Sequence, residues 1–167
     1  NNAKNMEKAV NLILNSRKLM FFGMGGSSTL ALDAYTEFLR IGIPCEYTAD
    51  SYLQVMQAVM SNPDDVIFAF SASGSNKDLI DSVKAGKKFG AKIITISSNE
   101  ESPLQMISDV ILTSYGKETI LRSDAMESTI TSLVLIDCLF VGVALKRLDT
   151  TLHNLDKIRS GIAVKRY

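Results

Sequence analysis

The chain has 167 residues, of which 46% are hydrophobic and 22% charged, with 18 basic residues balancing 18 acidic ones. One domain of that size buries a full core without disulfides or metals, and zero net charge with no long basic run excludes a chain that tracks a nucleic-acid backbone unaided. The two cysteines, Cys45 and Cys138, read as small core residues in a reducing cytoplasm, and a single histidine excludes a histidine-cluster metal site.

No charged-then-apolar signal pattern opens the sequence, which begins on Asn1-Asn2-Ala3 without a Met and reads as a piece of a longer protein. Met6, Ala9, Val10, Ile13 and Leu14 recur at helical spacing and predict an amphipathic helix over 3–16, with Arg17 and Lys18 complementing the dipole at its end. A short apolar run at 19–22 then stops in Gly23-Met24-Gly25-Gly26-Ser27-Ser28. Leu30, Ala31, Ala34, Tyr35, Phe38 and Leu39 follow as a helix that ends near Gly42. Residues 43–47 read as the next strand, with Pro44 at its entry, and Tyr52, Val55, Met56 and Val59 mark a helix that ends before Pro63.

The stretch Val66-Ile67-Phe68-Ala69-Phe70 has no polar alternation, as suits a strand buried on both faces of a parallel sheet. It breaks into Ser71-Ala72-Ser73-Gly74-Ser75-Asn76-Lys77 before Leu79, Ile80 and Val83 resume at helical spacing. Unpaired N–H groups at the start of such a helix lie at the positive end of its dipole, so the turn is prepared for an anion, with phosphate the natural one. Ser71, Ser73 and Ser75 add hydroxyls, Gly74 lets the backbone approach a ligand, and Lys77 can supply charge. The plainer alternative makes Ser75 an N-cap and the other serines loop filler.

Further strands are expected at 92–96 and 110–112, separated by a polar loop at 97–103 and a short helix at 104–107. Alternating strands and helices predict a three-layer α/β/α, flavodoxin-like fold with a five-stranded parallel sheet in the order 2-1-3-4-5. Strands 1 and 3 then flank the switch point where ligands bind, and loops 23–28 and 71–76 face each other there. After a polar segment at 116–124, residues 130–145 form a helix that is apolar nearly all round and suits a core or a subunit interface. It reads as too short for a membrane span and carries Asp137. A polar amphipathic helix over 151–162 follows, and Lys165 and Arg166 end the chain in a frayed tail.

Three weaker signals compete. Gly23-x-Gly25-x-x-Ser28 nearly matches the dinucleotide fingerprint, with Glu46 at the end of the second strand where a ribose-binding acid would sit, but Ser28 replaces the third glycine. His153 reads as a surface residue of the last helix. Glu127 is either a general base or an acid complementing a helix N-terminus.

Gly23 to Ser28, Ser71 to Leu79, Gly90-Ala91-Lys92-Ile93-Ile94-Thr95-Ile96, Ser102-Pro103-Leu104 and Asp109 to Leu112 together resemble a sugar isomerase (SIS) domain. Arg122-Ser123-Asp124-Ala125-Met126-Glu127-Ser128, with the apolar run from Leu133 to Phe140, is similar to the effector domain of RpiR-type transcriptional regulators. The likeness covers almost the whole chain. It implies one domain over 1–167 that binds a phosphorylated sugar or amino sugar, with neither cofactor nor metal. The implied assembly is a homodimer or tetramer off the membrane, contacting DNA only through an N-terminal helix-turn-helix domain that is not in this chain. Carried over by position, Ser71, Ser73 and Asn76 are expected to hold the phosphate, with Ser27 and Ser28 closing the other side of the sugar; Gly25, Ser75 and Glu127 complete the candidate ligand residues, the last being catalytic if the chain is an isomerase. Against the family pattern, Ala72 stands where His is frequent, Ser75 where Arg is and Asn76 where Thr is.

Overall fold

The computed structural model describes residues 2–116 and 126–165. The polar segment expected from 116 onward, with Arg122-Ser123-Asp124, therefore falls almost wholly outside the described residues, as does Arg166. In chain order the elements are α1 (Asn2–Leu14), β1 (Lys18–Gly23), α2 (Ser27–Arg40), β2 (Cys45–Thr48), α3 (Ser51–Val59) and β3 (Asp65–Phe70). They continue with α4 (Lys77–Lys88), β4 (Lys92–Ser97), α5 (Pro103–Met106), β5 (Val110–Thr113), α6 (Met126–Lys146) and α7 (Leu148–Ala163).

The five strands are all parallel, in the order β2-β1-β3-β4-β5, as the alternation of elements predicts. Every residue of β3 is buried, and the period of two divides it between two cores. Val66, Phe68 and Phe70 join Phe21, Leu19 and Ile94 under α1, α2 and α6, whereas Ile67 and Ala69 join Met20, Phe22 and Ile93 under α3 and α4. Phe68 stacks on Phe70 at 4.9 Å and on Phe21 at 5.8 Å, which ties the two central strands on the first face.

Four expectations change. Helix α6 has 21 residues and is long and apolar enough to cross a membrane by length and composition, so shortness is no argument against a span. Its place in this fold is nonetheless a core seat, with Leu135, Ile136, Leu139 and Val143 buried against the sheet and Ile130, Leu133, Val134, Val141 and Leu145 exposed. Cys138 lies on the outward side of that helix and is exposed, not core. Cys45 is half-buried, and desolvation pushes its thiol up to about 12. Glu46 pairs with Met20 near the middle of β1 and forms a 2.8 Å ion pair with Lys18, so its carboxylate is engaged toward the starting edge of the sheet, and a ribose-binding role is lost. Finally, α7 starts at Leu148, directly behind α6, and is fastened by Asn154, whose amide donates to the Ile41 carbonyl at 2.9 Å.

Candidate functional site

Strands β1 and β3 are neighbours, yet the helices that follow them leave to opposite faces, α2 into the first core and α4 into the second. The loops leaving those strands must therefore part, and a crevice opens above their carboxyl ends. A cavity of ≈ 560 Å³ occupies it. Met24, Gly26, Ser27 and Leu30 line it from the first loop and α2, and Ser71, Ala72, Ser73 and Asn76 from the second. Ile96 contributes from the end of β4, and Met126, Ser128, Thr129 and Ser132 from the first turns of α6. The N-termini of α2 and α4 thus meet at one cavity with the first described turns of α6, and the opening turn of α4 offers N–H groups suited to an anion.

The loop after β3 is held from behind. The Ser71 hydroxyl accepts from the Gly74 amide at 3.0 Å and the Ser73 hydroxyl from the Ser75 amide at 3.3 Å, which leaves each hydroxyl proton to be donated elsewhere. The Ala72 carbonyl accepts from the Ser98 amide at 3.2 Å and the Ser73 carbonyl from the Asn99 amide side chain at 3.3 Å. The loop after β4 thereby satisfies these two carbonyls, which leaves the Ser71 and Ser73 hydroxyls as donors toward a ligand. Asn76 caps α4 by accepting from the Leu79 amide at 3.0 Å. Its remaining NH2 group can still donate into the cavity.

Several expected residues sit elsewhere. Ser75 is neither the cap nor a lining residue; it is exposed and its hydroxyl donates to the Ser73 carbonyl at 3.2 Å. Lys77 turns along its own helix to Asp81 at 2.7 Å, a bond that raises its pKa, so its charge is engaged outside the cavity. Gly74 has φ +64 and lies against α5: a Cβ there would fall 2.1 Å from the Ser102 hydroxyl, so packing rather than ligand approach demands the glycine. Ser28 donates to the Gly25 carbonyl at 2.7 Å, and both residues shape the first turn without lining the cavity. Glu127 is exposed between two lining residues but is not one itself, and His153 is exposed on α7.

Ser128, Thr129 and Ser132 are the residues that pattern reading missed as a cavity wall. Their signal is polar spacing inside an apolar run: Ser128 and Ser132 lie one turn apart, are both buried, and the second donates to the first's carbonyl at 2.7 Å. Among the described lining residues none carries an ionisable side chain.

Residues 12–142 match the SIS domain family. The chain belongs to that family. This SIS domain is 31% identical over 156 residues to the HTH-type transcriptional regulator RpiR of Escherichia coli K12, covering 93% of this chain and 53% of that protein. The chain spans little more than half the length of the curated regulators it matches. Among solved structures, the Vibrio vulnificus NanR protein complexed with ManNAc-6P superposes with a TM-score of 0.92 at 22% identity, over 99% of this chain and 63% of that one. A Methanococcus jannaschii protein, whose structure infers a 3-hexulose-6-phosphate isomerase function, superposes with a TM-score of 0.78 at 17% identity over 93% of this chain and 84% of that one. Both similarities are of fold.

Proposed function

We propose that this SIS domain is the ligand-sensing part of an RpiR-type transcriptional regulator and that it binds a sugar phosphate in the cavity above β1 and β3 without transforming it. The meeting of the α2 and α4 N-termini with the α6 hydroxyls around one space carries the reading. Ser71, Ser73 and Asn76 hold the phosphate, with Ser27 on the facing loop and Ser128 and Ser132 along α6. Aldose-ketose isomerisation moves a proton between adjacent carbons and needs a positioned base. The described lining residues hold no acid-base side chain. A sensor needs only a binding energy that differs between two conformations. Helix α6 suits that task, since its first turns line the cavity and its outward apolar face is free to meet a second copy. DNA contact belongs to a helix-turn-helix domain preceding this one, in a cytoplasmic protein; the regulators it resembles support this.

Glu127, between lining residues Met126 and Ser128, supports an isomerase as the second reading. Thermal melting with hexose and pentose phosphates, each beside its unphosphorylated sugar, tests the first claim: only phosphorylated forms raise Tm. Incubation in deuterated water then separates sensor from enzyme. Sugar phosphates recovered without deuterium at C2 and without isomerisation uphold the sensor, whereas turnover that vanishes in Glu127→Gln establishes the isomerase.

A further inference from the structure

We infer that the sugar phosphate taken by this cavity carries an uncharged acylamino substituent, selected by Met24, Leu30 and Ile96. This rests on the phosphosugar reading above and extends it from the phosphate to the rest of the ligand. Leu30 and Ile96 are core side chains, 8% and 2% exposed, whose remaining surface forms part of the cavity lining, and Met24 stands half-buried beside them on the first loop. The space therefore combines a hydroxyl-rich side with a distinctly apolar one. At ≈ 560 Å³ it falls in the range that accommodates ligands larger than a sugar ring and its phosphate.

Three kinds of ring substituent meet that apolar side differently. A bare hydroxyl set against Leu30 and Ile96 loses its water and gains no hydrogen bond in return. A free amine is an ammonium at neutral pH, and burying it there requires a carboxylate, which no described lining residue supplies. An acylamino group is neutral, lays its alkyl carbon on the apolar side chains, and directs its N–H and carbonyl to hydroxyls. Ser132 fits the N–H: its own proton is committed to the Ser128 carbonyl at 2.7 Å, so its oxygen is left as an acceptor. Thr129, on the same turn of α6, offers a hydroxyl to the carbonyl.

Titration calorimetry on this chain with six probes of common phosphate chemistry decides the matter: glucose, glucosamine and N-acetylglucosamine 6-phosphates and their three mannose-configured counterparts. In at least one configuration the N-acetyl compound binds about tenfold tighter than both the free amine and the unsubstituted sugar, the gain expected for a buried methyl with a satisfied amide. In Met24→Ser that margin narrows. Equal affinities for the three substituents, or tighter binding of the amine or the hydroxyl compound, overturn the acylamino assignment and leave the phosphosugar reading standing. If none of the six binds at millimolar concentration, the phosphosugar reading itself fails and this assignment with it.

Discussion

The Leu79 amide donates to the Asn76 side chain at 3.0 Å, and Asn76 also lines the cavity, so one residue closes the end of α4 and faces the ligand space. The two duties are separable by charge. Asn76→Asp keeps the capping acceptor and adds an anion where the helix dipole favours one, so Tm holds or rises slightly. A carboxylate facing a phosphate costs several kcal/mol, so phosphosugar affinity falls by more than about a hundredfold. Asn76→Ala loses the cap, about 1 kcal/mol, and lowers Tm by roughly 2–4 °C. Scanning fluorimetry and calorimetry on the two variants read both effects.

Hydrogen bonds to a charged group contribute about 1.5–3 kcal/mol each, so Ser71→Ala or Ser73→Ala weakens phosphosugar binding roughly tenfold to a hundredfold. Each hydroxyl also accepts a loop amide, from Gly74 and Ser75 respectively, so circular-dichroism melts must accompany the titrations. Folded variants with wild-type affinity at both positions would remove the phosphate assignment.

Gly74→Ala tests the contact between the cavity loop and α5. At φ +64 an alanine costs about 1–2 kcal/mol in backbone strain alone. Its Cβ would also fall 2.1 Å from the Ser102 hydroxyl, so the loop must move. Reduced Tm together with weakened phosphosugar binding is expected, and Ser102→Ala in the same chain does not rescue either, because the Ser102 Cβ still stands in the way, the cap of α5 is lost and the strain in φ remains.

Pairing of two copies through α6 is probed at an outward position. Leu135 is buried and belongs to the core, so a Glu there unfolds the chain and reports nothing about assembly. Val134 is 56% exposed, and Val134→Glu should keep the fold while converting a dimer into a monomer in light scattering at micromolar concentration. A wild-type chain that is monodisperse and monomeric there would count against the pairing.

The two thiols give a chemical readout. Burial raises the Cys45 thiol from the ordinary 9.0 to about 12, so at pH 8 it is protonated as well as shielded and alkylates far more slowly than in urea. The sign follows: the folded state holds this proton more tightly, so the associated stability is complete below pH 9 and is lost as pH climbs toward about 12. Cys138, exposed one helical turn beyond Val134, should react readily in the Val134→Glu monomer and slowly in a dimer. Iodoacetamide labelling followed by peptide mass measurement distinguishes the sites.

The order and type of elements followed from local pattern because β3 and its neighbours are unbroken apolar runs, and only a sheet covered on both faces buries such runs. Short serine-rich turns after strands 1 and 3 made the switch-point loops legible for a similar reason: a helix must start after each, and its free N–H groups are a local property. Which polar atoms reach the cavity was a different matter. Ser75 and Asn76 are adjacent and chemically alike as caps, and the geometry of the turn gave the cap to Asn76 and sent Ser75 outward. Lys77 was available as a charge until its helix placed Asp81 one turn away. The hydroxyls of α6 and the apolar side chains of Leu30 and Ile96 share a space only because helix and sheet pack across it. Sequence determines what each segment must bury, since that depends on residue type and period. Tertiary structure alone decides which leftover polar atoms converge, since segments far apart in the chain meet through packing, and no period in either one records the other.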